Sequence, residues 1–173
     1  MIHNYRIIEQ NILLRSLEID DLEIVRKWRN KDEIRKWFIN DNLISSEKQL
    51  LWYEKYKNKK NELMFIIEEK NELKMSVGAI SLYNINYKKA YCELGRLMIG
   101  ENEARGKGIG LIASKALCNF GFIRLNLEII YLKVFFDNII AINIYKKIGF
   151  NETRTSLIKG KKIVRMEIKK ILL

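Results

Sequence analysis

The sequence has no proline, a single histidine and two cysteines in 173 residues. The absence of proline removes one usual sign of a domain boundary. Cys92 and Cys118 lack metal-ligand spacing, and each lies in an apolar pattern, so we expect buried free thiols and no metal site. The histidine, His3, lies where we expect a frayed chain end, and it is a poor candidate for catalysis.

Long apolar runs are also missing. No window approaches about 18 uninterrupted apolar residues, the length typical of a membrane span. The chain start, MIHNYR, contains no secretory apolar segment. We therefore expect a cytoplasmic location and no membrane partner.

The chain is strongly basic, with 32 lysines and arginines against 21 aspartates and glutamates and a formal charge of +11. Such a field favours anionic partners and repels a polycationic acceptor such as a polyamine. The basic residues are spread along the chain and do not cluster with aromatic residues, so nucleic acid is a disfavoured partner. The length and the balance of 48% hydrophobic and 31% charged residues are typical of one globular domain, here residues 1–173.

Hydrophobic periodicity predicts a mixed α/β domain. A helix stop is supplied by Gly149, and a helix cap by Ser45. The predicted strands cover residues 11–17, 63–67, 76–83, 90–99, 127–136, 150–158 and 162–171. The predicted helices cover residues 22–30, 30–38, 107–122 and 138–147, with one more after Ser45 and Ser46.

The segment 103–110, EARGKGIG, carries the first specific pattern. Gly106, Gly108 and Gly110 alternate with other residues and lead into a helix-favouring run. Glycine permits left-handed backbone angles and close approach of oxygens, and a helix N-terminus supplies about half a positive charge. The pattern predicts a phosphate-binding turn, and the alternative is an exposed glycine-rich turn. It fits neither a P-loop nor a G-x-G-x-x-G dinucleotide motif, since glycines are missing at required positions.

A second pattern follows one predicted helix and one predicted strand. It reads NIIAINIYKKIGF, and the spacing of Asn138, Ala141 and Tyr145 places all three on one face of a helix. The three side chains can therefore point into one cleft. The alternative for Tyr145 is a tyrosine packed in the core.

Together the two patterns resemble the signatures of the GNAT superfamily of N-acetyltransferases. R-x-x-G-x-G is present at Arg105, Gly108 and Gly110, and N-x-x-A-x-x-x-Y-x-x-x-G-F starts at Asn138. The resemblance implies an α/β (α+β) fold, in which helices flank both sides of a twisted, mostly antiparallel sheet of about seven strands. It also implies acetyl-CoA as cosubstrate, bound in the cleft between the fourth and fifth strands, and no metal.

The resemblance assigns cofactor binding to three places. They are the end of the predicted fourth strand, whose backbone pairs with pantetheine, the glycine loop, which binds the diphosphate, and the later helix. The implied residues are Leu97, Met98, Ile99, Arg105, Gly106, Lys107, Gly108, Ile109, Gly110, Asn138, Ala141 and Tyr145.

Acetyl transfer to an amine requires a group that protonates the departing thiol and a group that accepts the proton of the amine. Tyr145 is the candidate acid, since the family tyrosine lies near the sulfur. The N–H of Met98 or Ile99 is the candidate donor to the oxyanion. Glu93, the acidic residue within the predicted fourth strand, is the candidate base. Its alternatives are a water held by a carboxylate and a purely structural role for Glu93.

The N-terminal third resembles two acceptor-side branches of the superfamily. W-R-N at residues 28–30 and W-F at residues 37–38 are similar to ribosomal-protein N-terminal acetyltransferases. They are more similar still to enzymes that acetylate the 4-amino group of a UDP-linked amino-deoxy sugar, which is the acceptor we expect. The second branch implies a primary amine on a nucleotide-linked small molecule, and the first implies a protein N-terminus. Flat aromatic and arginine side chains suit stacking on uracil or a sugar. The substrate-binding candidates are Arg29, Asn30, Trp37, Trp52, Ser81 and Tyr83.

A hypothesis of another class is a basic nucleic-acid-binding module that has this fold without catalysis. It predicts salt-sensitive binding of nucleic acid and no binding of acetyl-CoA. The sequence leaves the oligomeric state open, a homodimer included.

Overall fold

The structure is a computed structural model that describes residues 2–170. Within that range the chain forms one eight-stranded sheet and five α-helices. The strands are β1 (Arg6–Glu9), β2 (Ile12–Ser16), β3 (Leu63–Glu69), β4 (Met75–Asn86), β5 (Tyr91–Ile99), β6 (Ile129–Phe135), β7 (Asn151–Ile158) and β8 (Lys161–Lys169). The helices are α1 (Leu22–Asn30), α2 (Asp32–Arg35), α3 (Ser46–Lys57), α4 (Ile109–Arg124) and α5 (Ile139–Ile148).

The strands lie in the order β1-β2-β3-β4-β5-β6-β8-β7. Neighbouring strands are antiparallel except β5 and β6, which are joined by the crossover helix α4 that a parallel pair requires. The predicted fold, a mixed and mostly antiparallel sheet flanked by helices on both sides, is confirmed. Because β1 adds one strand before the predicted first strand, the predicted fourth and fifth strands are β5 and β6.

The strands β5 and β6 separate soon after they begin. Their parallel ladder ends where Glu93 faces Tyr131. Beyond that pair, and within the described residues, β5 is paired only with β4 and β6 only with β8. We call the space between residues 94–99 of β5 and residues 132–135 of β6 the strand gap.

Two hydrophobic cores lie on opposite faces of the sheet, because side chains alternate in direction along a strand. On β3, Phe65 and Ile67 belong to the core that includes residues of α4 and α5. Their neighbours Met64 and Ile66 belong to the core that includes residues of α1 and α3. We call these sides of the sheet the α4 face and the α1 face.

Most helix boundaries follow the sequence signals. Helix α1 begins and ends at the predicted residues, and the Ser45 side chain caps α3 by accepting a hydrogen bond from the Lys48 N–H. Gly149 ends α5 with a φ of 110°, a left-handed conformation that favours glycine. The predicted helix 30–38 is the exception, since α2 stops at Arg35.

The shortening of that helix has a packing reason. Lys31 has a ψ of 130°, which interrupts the helical path between α1 and α2. After α2, the ring of Phe38 lies 3.8 Å from the guanidinium carbon of Arg29, so the chain follows a side-chain contact instead of a helical turn. A contact of this kind leaves no periodic signal in the sequence.

The chain start packs on the sheet, so the expected frayed end at His3 is wrong. The His3 ring is buried, with Nε2 3.1 Å from the carbonyl oxygen of Met64 and the ring centre 4.5 Å from that of Phe65. Burial lowers the pKa of His3 to about 4. The strand that follows, Arg6–Glu9, was not predicted because only two of its residues are apolar.

Several smaller expectations concern single residues or the chain end. Cys92 and Cys118 are free and buried, as predicted, and burial raises the pKa of the Cys92 thiol to about 12. Within residues 2–170, no helix has the length and apolar character needed to cross a membrane. The final residue of the predicted strand 162–171 lies outside the described residues, whereas β8 accounts for most of that strand.

Candidate functional site

The β5 side of the strand gap presents backbone hydrogen-bonding groups. Met98 and Ile99 pair with Ala79 and Gly78 of β4 on one edge. On the opposite edge, residues 94–99 have no strand neighbour within the described part of the chain. This edge is therefore available to an extended ligand, in the manner of strand addition. It contains the three backbone partners expected for pantetheine.

A bulge in β5 lies beside the gap. Arg96 has a φ of 53°, and the ladder between β4 and β5 shifts register between Ala79 and Ser81. Bulges bend a strand and change the direction of its side chains, and this one lies just past the last β5–β6 pair. The predicted substrate residue Ser81 is fully buried beneath it, and its Oγ donates to the carbonyl oxygen of Gly95 at 3.2 Å.

The glycine loop has the geometry expected of an anion-binding turn. Gly106 and Gly108 have φ values of 77° and 75°, and a Cβ built on either would meet no atom within 4 Å. Helix α4 begins directly after Gly108. Within the described residues, the N–H groups of residues 106–110 have no backbone acceptor. Five consecutive donors without a backbone acceptor therefore lie at the start of a 16-residue helix, where a phosphate is favoured.

Gly110 connects this loop to the strand gap. A Cβ added there would lie 3.8 Å from Leu97, 3.8 Å from Ile144 and 3.9 Å from Ile99. The start of α4, the edge of β5 and helix α5 therefore meet at one point. A ligand bound by the loop amides can continue along the β5 edge without leaving the protein surface.

The two basic residues of the loop are paired with carboxylates from other segments. Arg105 Nη2 lies 3.2 Å from Glu33 of α2, and Arg105 Nε donates to the carbonyl oxygen of Ile99 at 3.2 Å. Lys107 Nζ lies 2.6 Å from Glu72, which raises the pKa of Lys107. These pairs are partly exposed, so an incoming phosphate competes with weakly held carboxylates.

Helix α5 supplies the residues of the second motif. Asn138 is the N-cap of the helix, and its Oδ1 accepts a hydrogen bond from the Ala141 N–H at 3.2 Å. Its amide nitrogen remains a possible donor to a ligand. Tyr145 is buried on the α4 face, 5.8 Å from the Phe150 ring. Burial raises the pKa of Tyr145, so the hydroxyl keeps its proton at neutral pH and can donate it.

Glu93 lies where β5 and β6 diverge. Its side chain points to the α1 face, since its neighbours Cys92 and Leu94 both belong to the core of the α4 face. The carboxylate is buried and accepts a hydrogen bond from Asn84 Nδ2 at 3.1 Å, with Lys133 Nζ at 3.7 Å. The carboxylate therefore keeps a defined position at the closed end of the gap.

Two tyrosines complete the surroundings of this carboxylate. Tyr83 of β4 and Tyr131 of β6 are the cross-strand partners of Glu93. Burial together with the nearby carboxylate raises the pKa of each hydroxyl, that of Tyr131 to about 12. Arg165 stacks 3.8 Å from the centre of the Tyr131 ring. A carboxylate with several donors at one end of a cleft can receive a proton directly or through a hydroxyl.

The predicted acceptor residues divide into two groups. Trp52 and Tyr83 come together around Arg96, whose guanidinium lies 5.7 Å from the Trp52 ring and 4.7 Å from the Tyr83 ring. Trp37 is partly exposed, with its ring 6.5 Å from that of Phe135 at the end of β6. These aromatic residues lie along one side of the gap region.

Arg29 and Asn30 instead hold the segment that follows α2. Asn30 exchanges two hydrogen bonds with the backbone of Ile44, at 2.8 and 2.9 Å. The buried guanidinium of Arg29 donates to the carbonyl oxygen of Asn40, and burial near Arg35 lowers its pKa. Their observed contacts are therefore made to the protein's own loop.

Five residues of this region were not predicted. Tyr131 and Lys133 alternate with core residues in a predicted strand. The period-two pattern was therefore enough to place both on the same face of the sheet. Arg96, Glu62 and Asn84 carried no such signal, since their grouping depends on strand pairing across distant segments. No group of three or more metal-ligating side chains occurs among residues 2–170.

A family model described as an acetyltransferase (GNAT) domain matches residues 11–151. The chain belongs to the GNAT family. It is 30% identical to the spermidine N(1)-acetyltransferase of Escherichia coli K12 over 141 residues, which are 82% of this chain and 73% of that protein. The corresponding enzyme of Vibrio cholerae is 29% identical over 141 residues, 82% of this chain and 79% of that protein.

A solved structure agrees with these relatives. The crystal structure of the Vibrio cholerae spermidine N-acetyltransferase in complex with CoA and spermine has a TM-score of 0.83 and 27% identity, covering 92% of this chain and 95% of that one. The GNAT chain described here is thus an acetyl-CoA-dependent N-acetyltransferase. The glycine loop and the β5 edge fit this cosubstrate, with open donors for a diphosphate and an unpaired strand edge for the pantetheine amides.

The comparisons distinguish between the functions and acceptors that the sequence left open. They support an enzyme with a small-molecule amine acceptor, and they do not support the alternative of a binding module without catalysis. The relatives' names refer to spermidine, so they support neither the UDP-amino-sugar branch nor the ribosomal-protein branch.

Proposed function

We propose that this chain transfers the acetyl group of acetyl-CoA directly to a primary amine of a small-molecule acceptor that enters from the α1 face. The observation that carries this proposal is the meeting of the glycine loop, the unpaired β5 edge and α5 around Gly110. This arrangement provides one continuous path from a phosphate-binding turn to a pair of groups suited to proton transfer.

Each part of the path has a chemical role. The amides of residues 106–110 bind the diphosphate, and the backbone of Leu97, Met98 and Ile99 pairs with pantetheine. The N–H of Met98 or Ile99 stabilises the oxyanion that develops on the acetyl carbonyl. Tyr145 donates a proton to the leaving sulfur, and Glu93 takes a proton from the attacking amine.

The acceptor has two candidates with separate support. Spermidine is named by the relatives. A nucleotide-linked amino sugar is favoured by the charge of +11 and by the aromatic and arginine side chains near the gap, Trp52, Tyr83 and Arg96. The carboxylates on this side, such as Glu93 and Glu62, are already paired with cations, which is a poor arrangement for binding a polyamine.

The test is a direct comparison of acceptors. Purified protein is incubated with acetyl-CoA and, separately, with spermidine, a UDP-4-amino sugar and an N-terminal peptide, and products are identified by mass spectrometry. We expect a mass increase of one acetyl group on a small-molecule amine. Acetylation of the peptide alone would contradict the small-molecule proposal, and no acetylation together with no calorimetric binding of acetyl-CoA would contradict the whole assignment.

A further inference from the structure

Arg96 is a partly exposed cation that follows the candidate base by three residues on β5. The bulge in β5 holds its backbone at a φ of 53°, and 27% of its side chain is exposed. Its guanidinium lies beside the rings of Tyr83 and Trp52, and Nη1 donates to Glu62. Two aromatic faces and one ion pair thus fix a planar group before any ligand arrives, which reduces the entropic cost of binding.

The ion pair with Glu62 leaves part of this guanidinium available. Glu62 is buried and also accepts a hydrogen bond from Lys59 Nζ at 2.7 Å, so one carboxylate faces two cations. Among residues 2–170, Nε and Nη2 of Arg96 have no hydrogen-bond partner. These two nitrogens form one edge of the guanidinium, and such an edge matches two oxygens of a carboxylate or a phosphate.

Tyr83 connects this cation to the candidate base. Its ring lies beside Arg96, and Glu93 is its cross-strand partner on β5. Glu93 and Arg96 are therefore both neighbours of one tyrosine side chain. An acceptor whose amine lies at Glu93 can therefore place a neighbouring group at the free edge of Arg96.

We propose that the acceptor carries a carboxylate or phosphate group close to its primary amine, and that Arg96 binds this anionic group. This inference rests on the proposed acetyl transfer and names the class of acceptor. An anionic amine gains a charge-assisted pair at Arg96, whereas a polyamine gains only repulsion there. Arg96 is thus a specificity-determining residue that leaves the chemical step to Tyr145 and Glu93.

The test uses pairs of amines that differ in one anionic group. Glucosamine 6-phosphate is compared with glucosamine, and β-alanine with propylamine, by calorimetric titration into protein saturated with CoA and by acetylation rates. We expect the anionic member of at least one pair to bind roughly ten- to hundredfold more tightly. The pair that shows the preference identifies phosphate or carboxylate as the recognised group.

Variants at Arg96 separate charge from structure. Arg96→Gln is expected to abolish the preference and to raise kcat/KM for spermidine, while Arg96→Lys keeps the charge and part of the preference. Lys59→Gln removes the other cation beside Glu62 and is expected to keep the preference. Thermal unfolding and acetyl-CoA titration show that each variant is folded.

The inference is overturned if neither anionic amine binds more tightly than its neutral partner, or if Arg96→Gln keeps the preference. Efficient acetylation of spermidine or a peptide, unaffected by Arg96→Gln, would also overturn it while leaving acetyl transfer intact. Failure to bind acetyl-CoA would instead overturn the proposed function.

Discussion

Tyr145 and Glu93 lie on opposite faces of the sheet, with the strand gap between them. Tyr145 belongs to the core of the α4 face, and Glu93 points to the α1 face. A thioester bound in the gap would therefore meet a proton donor on one side and a proton acceptor on the other. Under the proposed function, the amine approaches from the α1 face and the thiol departs towards the α4 face.

At the residue scale, Tyr145→Phe tests the donor. The substitution removes only the hydroxyl, so the ring packing against Phe150 remains. We expect kcat to fall by roughly a hundredfold or more, the usual contribution of a positioned acid. The Kd for acetyl-CoA should stay within about twofold, because binding depends on the loop and the β5 edge.

Tyr5→Phe is the matched control for this measurement. Tyr5 packs at the distant end of α4, with its ring 4.8 Å from that of Phe120. We expect its kcat to equal that of the wild type in steady-state assays. A kcat for Tyr145→Phe equal to the control would remove Tyr145 from the mechanism.

At the scale of elements, the glycine loop depends on backbone conformation more than on side chains. Gly106 and Gly108 are both left-handed, and the N–H groups of the turn they form have no backbone acceptor before α4 begins. Arg105 and Lys107 are engaged by carboxylates. We therefore expect the main-chain donors to bind the phosphate without rearrangement, and the side-chain cations to bind it only after leaving their carboxylate partners.

Gly108→Ala tests this dependence on backbone conformation. A Cβ at this position meets no neighbour, so the change acts through the left-handed φ of 75°, which costs a non-glycine residue about 1–2 kcal/mol. If the loop relaxes to avoid this strain, its amides change their orientation. We expect the Kd for acetyl-CoA to rise roughly five- to thirtyfold by calorimetry.

Gly160→Ala provides a control with the same local geometry. Gly160 has a φ of 76° and open space around it, but it lies in the turn between β7 and β8. Urea unfolding should show a similar loss of stability for both variants. Equal acetyl-CoA affinity in the two variants would show that the loop conformation does not contribute to binding.

At the scale of the whole molecule, the N-terminal segment supplies the edge strand β1 and packs against α4. β1 pairs with β2, and the Tyr5 ring packs edge-on against Phe120 of α4. Nδ1 of His3 is buried without a hydrogen-bond partner. A second proton on this ring would therefore place a charge in an apolar site.

The pH dependence of stability follows from that burial. Since the pKa of His3 falls from 6.5 to about 4 on folding, the unfolded chain binds more protons between these values. Stability from the neutral ring is therefore present above pH 6.5 and decreases as the pH falls towards 4. From pH 7 to pH 5 the contribution lost is about 2 kcal/mol.

Urea unfolding at both pH values measures this contribution. His3→Phe keeps an aromatic ring beside Phe65 and removes the titrating group. From pH 7 to pH 5 this variant should therefore lose about 2 kcal/mol less stability than the wild type. Carboxylates titrate equally in both proteins and cancel in the comparison. An identical loss in wild type and His3→Phe would mean that His3 does not couple folding to pH.

The parts of the site that were predicted from the sequence are those whose structure depends on residues close together in the chain. Gly106 and Gly108 determine a left-handed turn by their own conformational freedom, and the spacing of Ala141 and Tyr145 determines a shared helix face. The turn and the helix were therefore predicted with nearly the observed boundaries. The shortened α2 and the added β1 were missed because side-chain contacts across the fold, not periodicity, decide them.

By itself the sequence determined the family, the left-handed glycine turn and the order of the strands and helices from β2 onwards. Tertiary structure alone decided which distant residues meet. Strand pairing brings Tyr83 and Tyr131 to Glu93, and the bulge in β5 directs Arg96 to Glu62. The physical reason is that turns and helix faces arise from neighbours in the chain, whereas the acceptor side is built from ladder register and from a gap between two strands.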